Sequence, residues 1–467
     1  MKILLVRLQI LLILLFVFSP LIYLGYKKFN PQINLLRYDY QHRNKSYPQL
    51  SPLHTQGTQI LDTQNNPVRL RGVNLISTNW GAEYDNWNPQ AIEVAAKDWH
   101  VNVIRTRAYQ HEFAANPAEF FLTLEREILT PARRNGLYVI IHPWFGENQS
   151  LPDSTGIKMW LAIAKRYQGD PHIIYDLLAE PRDISFAQLE STYNSLIPQI
   201  RTIYPSSMIM VTGLDWGRDI NAWLDSPLPY SNIVYRSNPY NRTAEFPGYF
   251  GQTALEYPVF LGEFGTDDKL SMSESDVRNV LGYADALDLG WTAWHFTSAG
   301  CPCLLSDEES FTPNSYGLLV KNSLAGAKSP FTLPTFDPDP SRHYVFSDFL
   351  ESGFADYSWG ITNQFSESIN TQFHPSSGFY LNTSRRLDPF DYQSFLFTIK
   401  LDNPDQLSIR FKSYDEKLSK PYSLVNGQNR ISTDSIDLDS ISGIIIEPVG
   451  TIPASVPFNI DSIYFQK

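Results

Sequence analysis

The chain has 467 residues, 43% hydrophobic and 18% charged, with a formal net charge of -12. That length exceeds one ordinary core and points to two folded units plus a leader, while the excess of carboxylates excludes a phosphate-backbone partner, so no nucleic acid is expected. Two cysteines, Cys301 and Cys303, exclude a disulfide framework and a thiolate zinc site; they are read as loop thiols, with a local disulfide as the alternative.

The first segment, Leu8 to Tyr26, is almost wholly apolar, with Lys2 and Arg7 before it and Lys27 and Lys28 after it. About 19 apolar residues can cross a bilayer core, and no small-residue cleavage site follows. Residues 1-28 are therefore expected to be a signal-anchor helix, a cleaved signal peptide being the alternative. The rest of the chain would then be extracytoplasmic, membrane-anchored through residues 8-26 or secreted. Residues 29-54 are polar and lack periodicity, which predicts a stalk.

From residue 55 to 325 short β-branched runs alternate with helical patterns. The predicted strands are 68-75, 101-106, 137-142, 173-178, 208-213, 232-236, 257-262 and 290-295, after a hairpin signal in ILDTQNNPVRL. Between them lie helical patterns at 89-98, 117-134, 157-167, 186-203 and 274-289, with a short, irregular connection after the sixth strand. Eight such repeats predict an α/β fold, a (β/α)8 TIM barrel. A Pro-rich linker covers 326-341, and the alternating short runs of 342-467 predict an all-β jelly-roll sandwich.

In such a barrel the reacting groups sit where strands end. IIYDLLAEP places Glu180 just past the fourth strand and VFLGEFG places Glu263 at the end of the seventh. Arg105, His142, Tyr240 and Trp294 are expected at the same rim, on strands two, three, six and eight, with Trp80, Trp144 and Trp216 near strand ends or in the loops after them. Each alone could be core filler or a surface charge. Their convergence on one rim favours a site.

These segments resemble the cellulase-type family 5 of the glycoside hydrolases: GTQILDTQNNPVRLRGVN at the entry, then VNVIRTR, IIH, AEP, GEFG and GWTAWHF in order. The resemblance implies a retaining, endo-acting hydrolase of a β-linked polysaccharide or oligosaccharide. Glu180 would be its acid/base and Glu263 its nucleophile, Arg105 the partner of Glu263, His142 and Tyr240 polar groups around the sugar, and Trp294 its platform. Two positions depart from the family: Ala179 stands where Asn is usual, and Asn238 where His is usual. A barrel that binds glycan but scarcely cleaves it is the rival reading. No cofactor is implied beyond a structural calcium, to which Asp348 and Asp461 could contribute oxygens, and the chain is expected to act as a monomer. The C-terminal segment is similar to sandwich modules that accompany secreted carbohydrate-active enzymes. Its Tyr357, Trp359 and Tyr380 are expected in the core, glycan contact being the alternative.

Overall fold

The computed structural model describes residues 30-467 apart from 76-87, 147-148, 225, 267-271, 301, 330, 334-341, 347-349, 351-353, 366-367, 402-405, 451 and 453-455. The apolar 8-26 segment, Trp80, Cys301 and Asp348 lie outside the described residues. Among the described residues no helix is long and apolar enough to cross a membrane.

Eight parallel strands close into a barrel: β1 (Arg71–Asn74), β2 (Val103–Tyr109), β3 (Tyr138–Trp144), β4 (Ile173–Asp176), β5 (Ile209–Thr212), β6 (Ile233–Ser237), β7 (Val259–Leu261) and β8 (Gly290–Ala293), with β8 pairing back onto β1. All eight coincide with the predicted runs. The strands β2 and β3 run further than expected, so Arg105 and His142 lie inside strands rather than at their ends. Helices at Ala91–Lys97, Ser154–Arg166, Phe186–Ile203 and Glu274–Ala286 match the predicted ones, whereas 117-134 is helical in three pieces with a π-helical turn at Leu124–Leu129. The helix starts are written locally. Asp153 accepts from the amides of Thr155 and Gly156, and Ser185 with Gln188 and Ser273 with Asp276 form capping boxes.

Side chains alternate in and out along each strand, and this parity stacks the barrel interior in layers. Val103, Ile140, Ile174, Met210, Val234 and Phe260 form a buried apolar layer, with Leu53 and Ile60 of the entry hairpin below it. Two residues further along the same strands come Arg105, His142, Asp176, Thr212 and Arg236, all buried and all polar. The apolar floor keeps water from the polar layer above it.

Several expectations are corrected. Residues 30-42 form a helix rather than an irregular stalk: Leu35 packs on the barrel core, Tyr38 donates to Thr130 Oγ1 at 2.7 Å, and Asp39 pairs with Arg166 at 2.7 Å. Those partners lie about a hundred residues downstream, so local periodicity could not reveal them. Cys303 is disulfide-bonded, against the reading of loop thiols. Part of the Pro-rich linker also packs, Phe331 and Leu333 lying against the barrel core.

Beyond the linker, two antiparallel sheets share one core. One orders Gln364–Phe365, Ile369–Phe373, Val456–Gln466, Ser394–Lys400 and Gly427–Ser432, with Arg342–Phe346 also paired to Val456–Gln466; the other orders Phe354–Asp356, Phe379–Leu387, Ile441–Pro448, Leu407–Lys412 and Tyr422–Ser423. Phe395 packs edge-on against Phe411 across the two sheets and at a tilt against Phe465 on the neighbouring strand. Tyr357 and Trp359, expected in this core, are 55% and 42% exposed. The Trp359 ring covers Gly378 and the Tyr380 ring covers Gly443, so two glycines leave room for rings on the outer face. Asp461 pairs with Lys400 at 3.5 Å, and no cluster of metal-binding side chains occurs among the described residues. Arg242 of the barrel meets Asp356 of the sandwich at 3.5 Å.

Trp160, on the helix Ser154–Arg166, is fully buried and donates from Nε1 to Leu177 O at 3.2 Å, at the exit of β4. Trp160→Ala is expected to cost about 3–5 kcal/mol and to lower the melting temperature by roughly 10 °C, read by calorimetry.

Candidate active site

The two predicted carboxylates converge at the C-terminal mouth of the barrel. Glu263 is 5% exposed and receives Arg105 Nη1 at 2.5 Å on Oε1. Arg105 is fully buried and also donates from Nη1 to Asn74 Oδ1 and from Nε to Asp176 Oδ2, each at 2.9 Å. Asn74 in turn donates to the carbonyls of Gly262, Thr292 and Ala293, so one amide ties β1 to the ends of β7 and β8.

Glu180 is reached from the other side of the same network. Arg236, fully buried on β6, sits 3.0 Å from Asp176 through Nε, donates to Asn238 Oδ1 at 2.5 Å through Nη1, and donates through Nη2 to the carbonyls of Leu178 and Ala179 at 2.8 and 2.5 Å. With its oxygen so engaged, the Asn238 amide turns its nitrogen outward and donates to Glu180 Oε1 at 3.0 Å. A continuous path therefore runs from Glu263 through Arg105, Asp176, Arg236 and Asn238 to Glu180. Gly262 makes room for it, since a Cβ there would lie 2.4 Å from Arg236 Cδ and 2.7 Å from Asn238 Oδ1.

The electrostatics follow from this burial. Loss of solvent first, and the charge of Glu263 second, push the Glu180 carboxyl up to about 7, against the opposing pull of Asn238, Arg107 and Arg236. Burial, with the guanidiniums of Arg105, Arg107 and Arg236, holds His142 well below the ordinary imidazole range, so it is neutral. Burial and the two glutamates push the Tyr240 hydroxyl well up, so it remains a neutral donor.

The aromatics gather around this centre. Trp144, Trp216, Ala179 and Glu180 line one cavity of about 70 Å³. Arg107 lies 4.9 Å from the Trp144 ring and 5.1 Å from the Trp294 ring, while Arg182 stacks on Trp216 at 4.1 Å. Tyr316, which sequence reasoning did not single out, places its hydroxyl 2.5 Å from Phe264 O and 2.9 Å from Trp294 O, joining the segments that carry Glu263 and Trp294. Asp176, Arg236, Asn74 and Arg107 were also not anticipated. The first two had a readable sign: IIYD and IVYRS each place one charge at an inward position of an otherwise apolar strand, with opposite signs that a closed barrel must bring together.

Comparison with known proteins agrees with this geometry. The family model described as cellulase (glycosyl hydrolase family 5) matches residues 61-300. Endoglucanase E-5 of Thermobifida fusca is 27% identical over 259 residues, covering 52% of this chain and 54% of that protein, so the match spans about half the relative's length. An endoglucanase of Clostridium saccharobutylicum is 25% identical over 346 residues, covering 69% of this chain and 73% of its own. Among solved structures, the catalytic domain of Thermobifida fusca endoglucanase Cel5A in complex with cellotetraose superposes with a TM-score of 0.53 at 23% identity, covering 59% of this chain and 97% of that one. A β-glucanase of Saccharophagus degradans, also in complex with cellotetraose, gives 0.53 at 20% identity, covering 60% and 94%. With an eight-stranded parallel barrel, glutamates beyond strands four and seven and a match over more than half its length, the chain belongs to the cellulase family, glycosyl hydrolase family 5.

Proposed function

We propose that this protein is a retaining, endo-acting hydrolase of a β-1,4-linked glucan, with Glu180 as acid/base and Glu263 as nucleophile. The observation that carries the reading is the unequal treatment of two carboxyls at one barrel mouth: Glu263 is bound by a buried guanidinium, while Glu180 is held protonated by burial and by Glu263 itself. The endoglucanase relatives and the cellotetraose in two structural neighbours support the choice of glucan. An extracytoplasmic setting belongs to the same reading and is supported by the apolar, Lys-flanked segment at 8-26.

The residues divide the chemistry between them. A Glu263 oxygen attacks the anomeric carbon as Glu180 passes its proton to the departing glycosidic oxygen, leaving a glycosyl ester on Glu263. Esterification removes the charge that helped to hold the proton on Glu180, so the newly formed carboxylate can accept a proton from water. That water attacks the same carbon from the opposite face, frees Glu263 and restores the starting anomeric configuration. The partners of Trp144, Trp216 and Trp294 in this scheme are the sugar faces, and His142 and Tyr240 are neutral polar groups beside them.

Glu263→Gln should retain oligosaccharide binding while turnover falls by roughly a thousandfold or more, and proton NMR of early wild-type product should show the β-anomer. Binding without turnover in the wild type would instead favour a glycan-binding barrel.

The pH dependence has a definite sign. Glu180 must begin protonated, so kcat/KM on an aryl cellobioside should fall as pH rises through about 7. Since Asn238 and Arg236 both favour the ionised form, Asn238→Ala and Arg236→Met should move that alkaline limb to higher pH while lowering the maximum rate roughly tenfold. A limb that stays in place or moves to lower pH in both variants would contradict this assignment of the amide and the guanidinium.

A further inference from the structure

The sandwich carries a trough of about 650 Å³ on the outer face of the sheet that contains Val456–Gln466. Its floor is a register-defined row. Gln364 pairs with Asn370, Asn370 with Asn459, and Asn459 with Lys400, so four adjacent strands present four polar side chains side by side. The alternate residues Ile369, Phe373, Phe458 and Ile460 point into the core, which fixes the polar set on the outside. Asn459 Nδ2 donates to Asn370 Oδ1 at 2.8 Å and to Ser368 Oγ at 2.7 Å, locking the two amides in place.

The lining chemistry selects among ligands. Among the described residues no carboxylate lines the trough, which disfavours a divalent cation. Among the described residues its one ammonium, Lys400, is 3.5 Å from Asp461 and no guanidinium accompanies it, which disfavours a phosphate or polyanion. What remains is a surface of side-chain amides with Thr362 and His374 beside them, with Gln372 and Pro457 a further step along the strands. Such a surface suits a neutral polyhydroxylated chain, and the volume lies in the range of small-ligand sites, enough for an oligosaccharide rather than one sugar.

We propose that this amide-lined trough binds a neutral glycan chain, making it a second sugar site separate from the barrel. Only the choice of probes rests on the glucanase reading. The full chain carrying Glu263→Gln should bind two molecules per chain of at least one among cellohexaose, mannohexaose and xylohexaose, measured by titration calorimetry. Adding Asn370→Ala with Asn459→Ala should reduce that to one, and so should Gln372→Trp, which fills the trough at an exposed position and places no demand on the core. In the otherwise unaltered protein neither trough variant should change aryl cellobioside hydrolysis. One molecule per chain for every sugar, unchanged by the trough substitutions, would overturn the proposal. So would a second molecule that survives both trough variants, or one that disappears in Trp359→Ala instead, which would put the sugar on the exposed aromatic face. If the wild type hydrolyses no aryl cellobioside but a molecule is still lost with the trough variants, the hydrolase reading falls and this inference stands.

Discussion

A path of ion pairs and hydrogen bonds, buried except at its Glu180 end, underlies the rest of this structure: Glu263 to Arg105, Arg105 to Asp176, Asp176 to Arg236, and Arg236 through Asn238 to Glu180. Asp176, the carboxylate in the middle, is fully buried between two fully buried guanidiniums. Desolvating such charges is costly, and removing one partner of a buried pair typically costs about 3–5 kcal/mol. The network is thus weak evidence of stability and strong evidence of geometry, because each charge is satisfied only where the others stand. It also makes the two glutamates unequal, one paired with a cation and the other held protonated in its field.

The barrel supplies that geometry through strand parity. Each inward position of the apolar layer is followed two residues later by a polar one, Val103 by Arg105, Ile174 by Asp176 and Val234 by Arg236. At Phe260 the rule yields Gly262, because the large side chain of Arg236 occupies the space where a Cβ would go. Arg236 also bears on both departures from the family. It holds the carbonyl of Ala179, directly before Glu180, and it orients Asn238 so that a neutral amide, unable to change its charge, faces Glu180.

Much of this was legible in the sequence, for identifiable reasons. Eight strands and the glutamates after the fourth and seventh follow from period and position, which are local properties. Arg105 as the partner of Glu263, 158 residues away, followed from the family resemblance and from no local pattern, while the pairing of Asp176 with Arg236, 60 residues apart, was not anticipated. Likewise the helix at 30-42 depends on Thr130 and Arg166. Tyr357 and Trp359 misled in the opposite direction. Aromatic alternation normally marks a core, but here Trp359 and the neighbouring Tyr380 lie over Gly378 and Gly443 on the outside of a sheet.

The most direct test of the coupled pair is to follow the Glu180 carboxyl by carbon-13 NMR across pH, in the wild type and in Glu263→Gln. The account predicts a wild-type titration near 7 that moves to lower pH once the charge at residue 263 is gone. A Glu180 titrating in the ordinary glutamate range in both proteins, unmoved by the substitution, would contradict it.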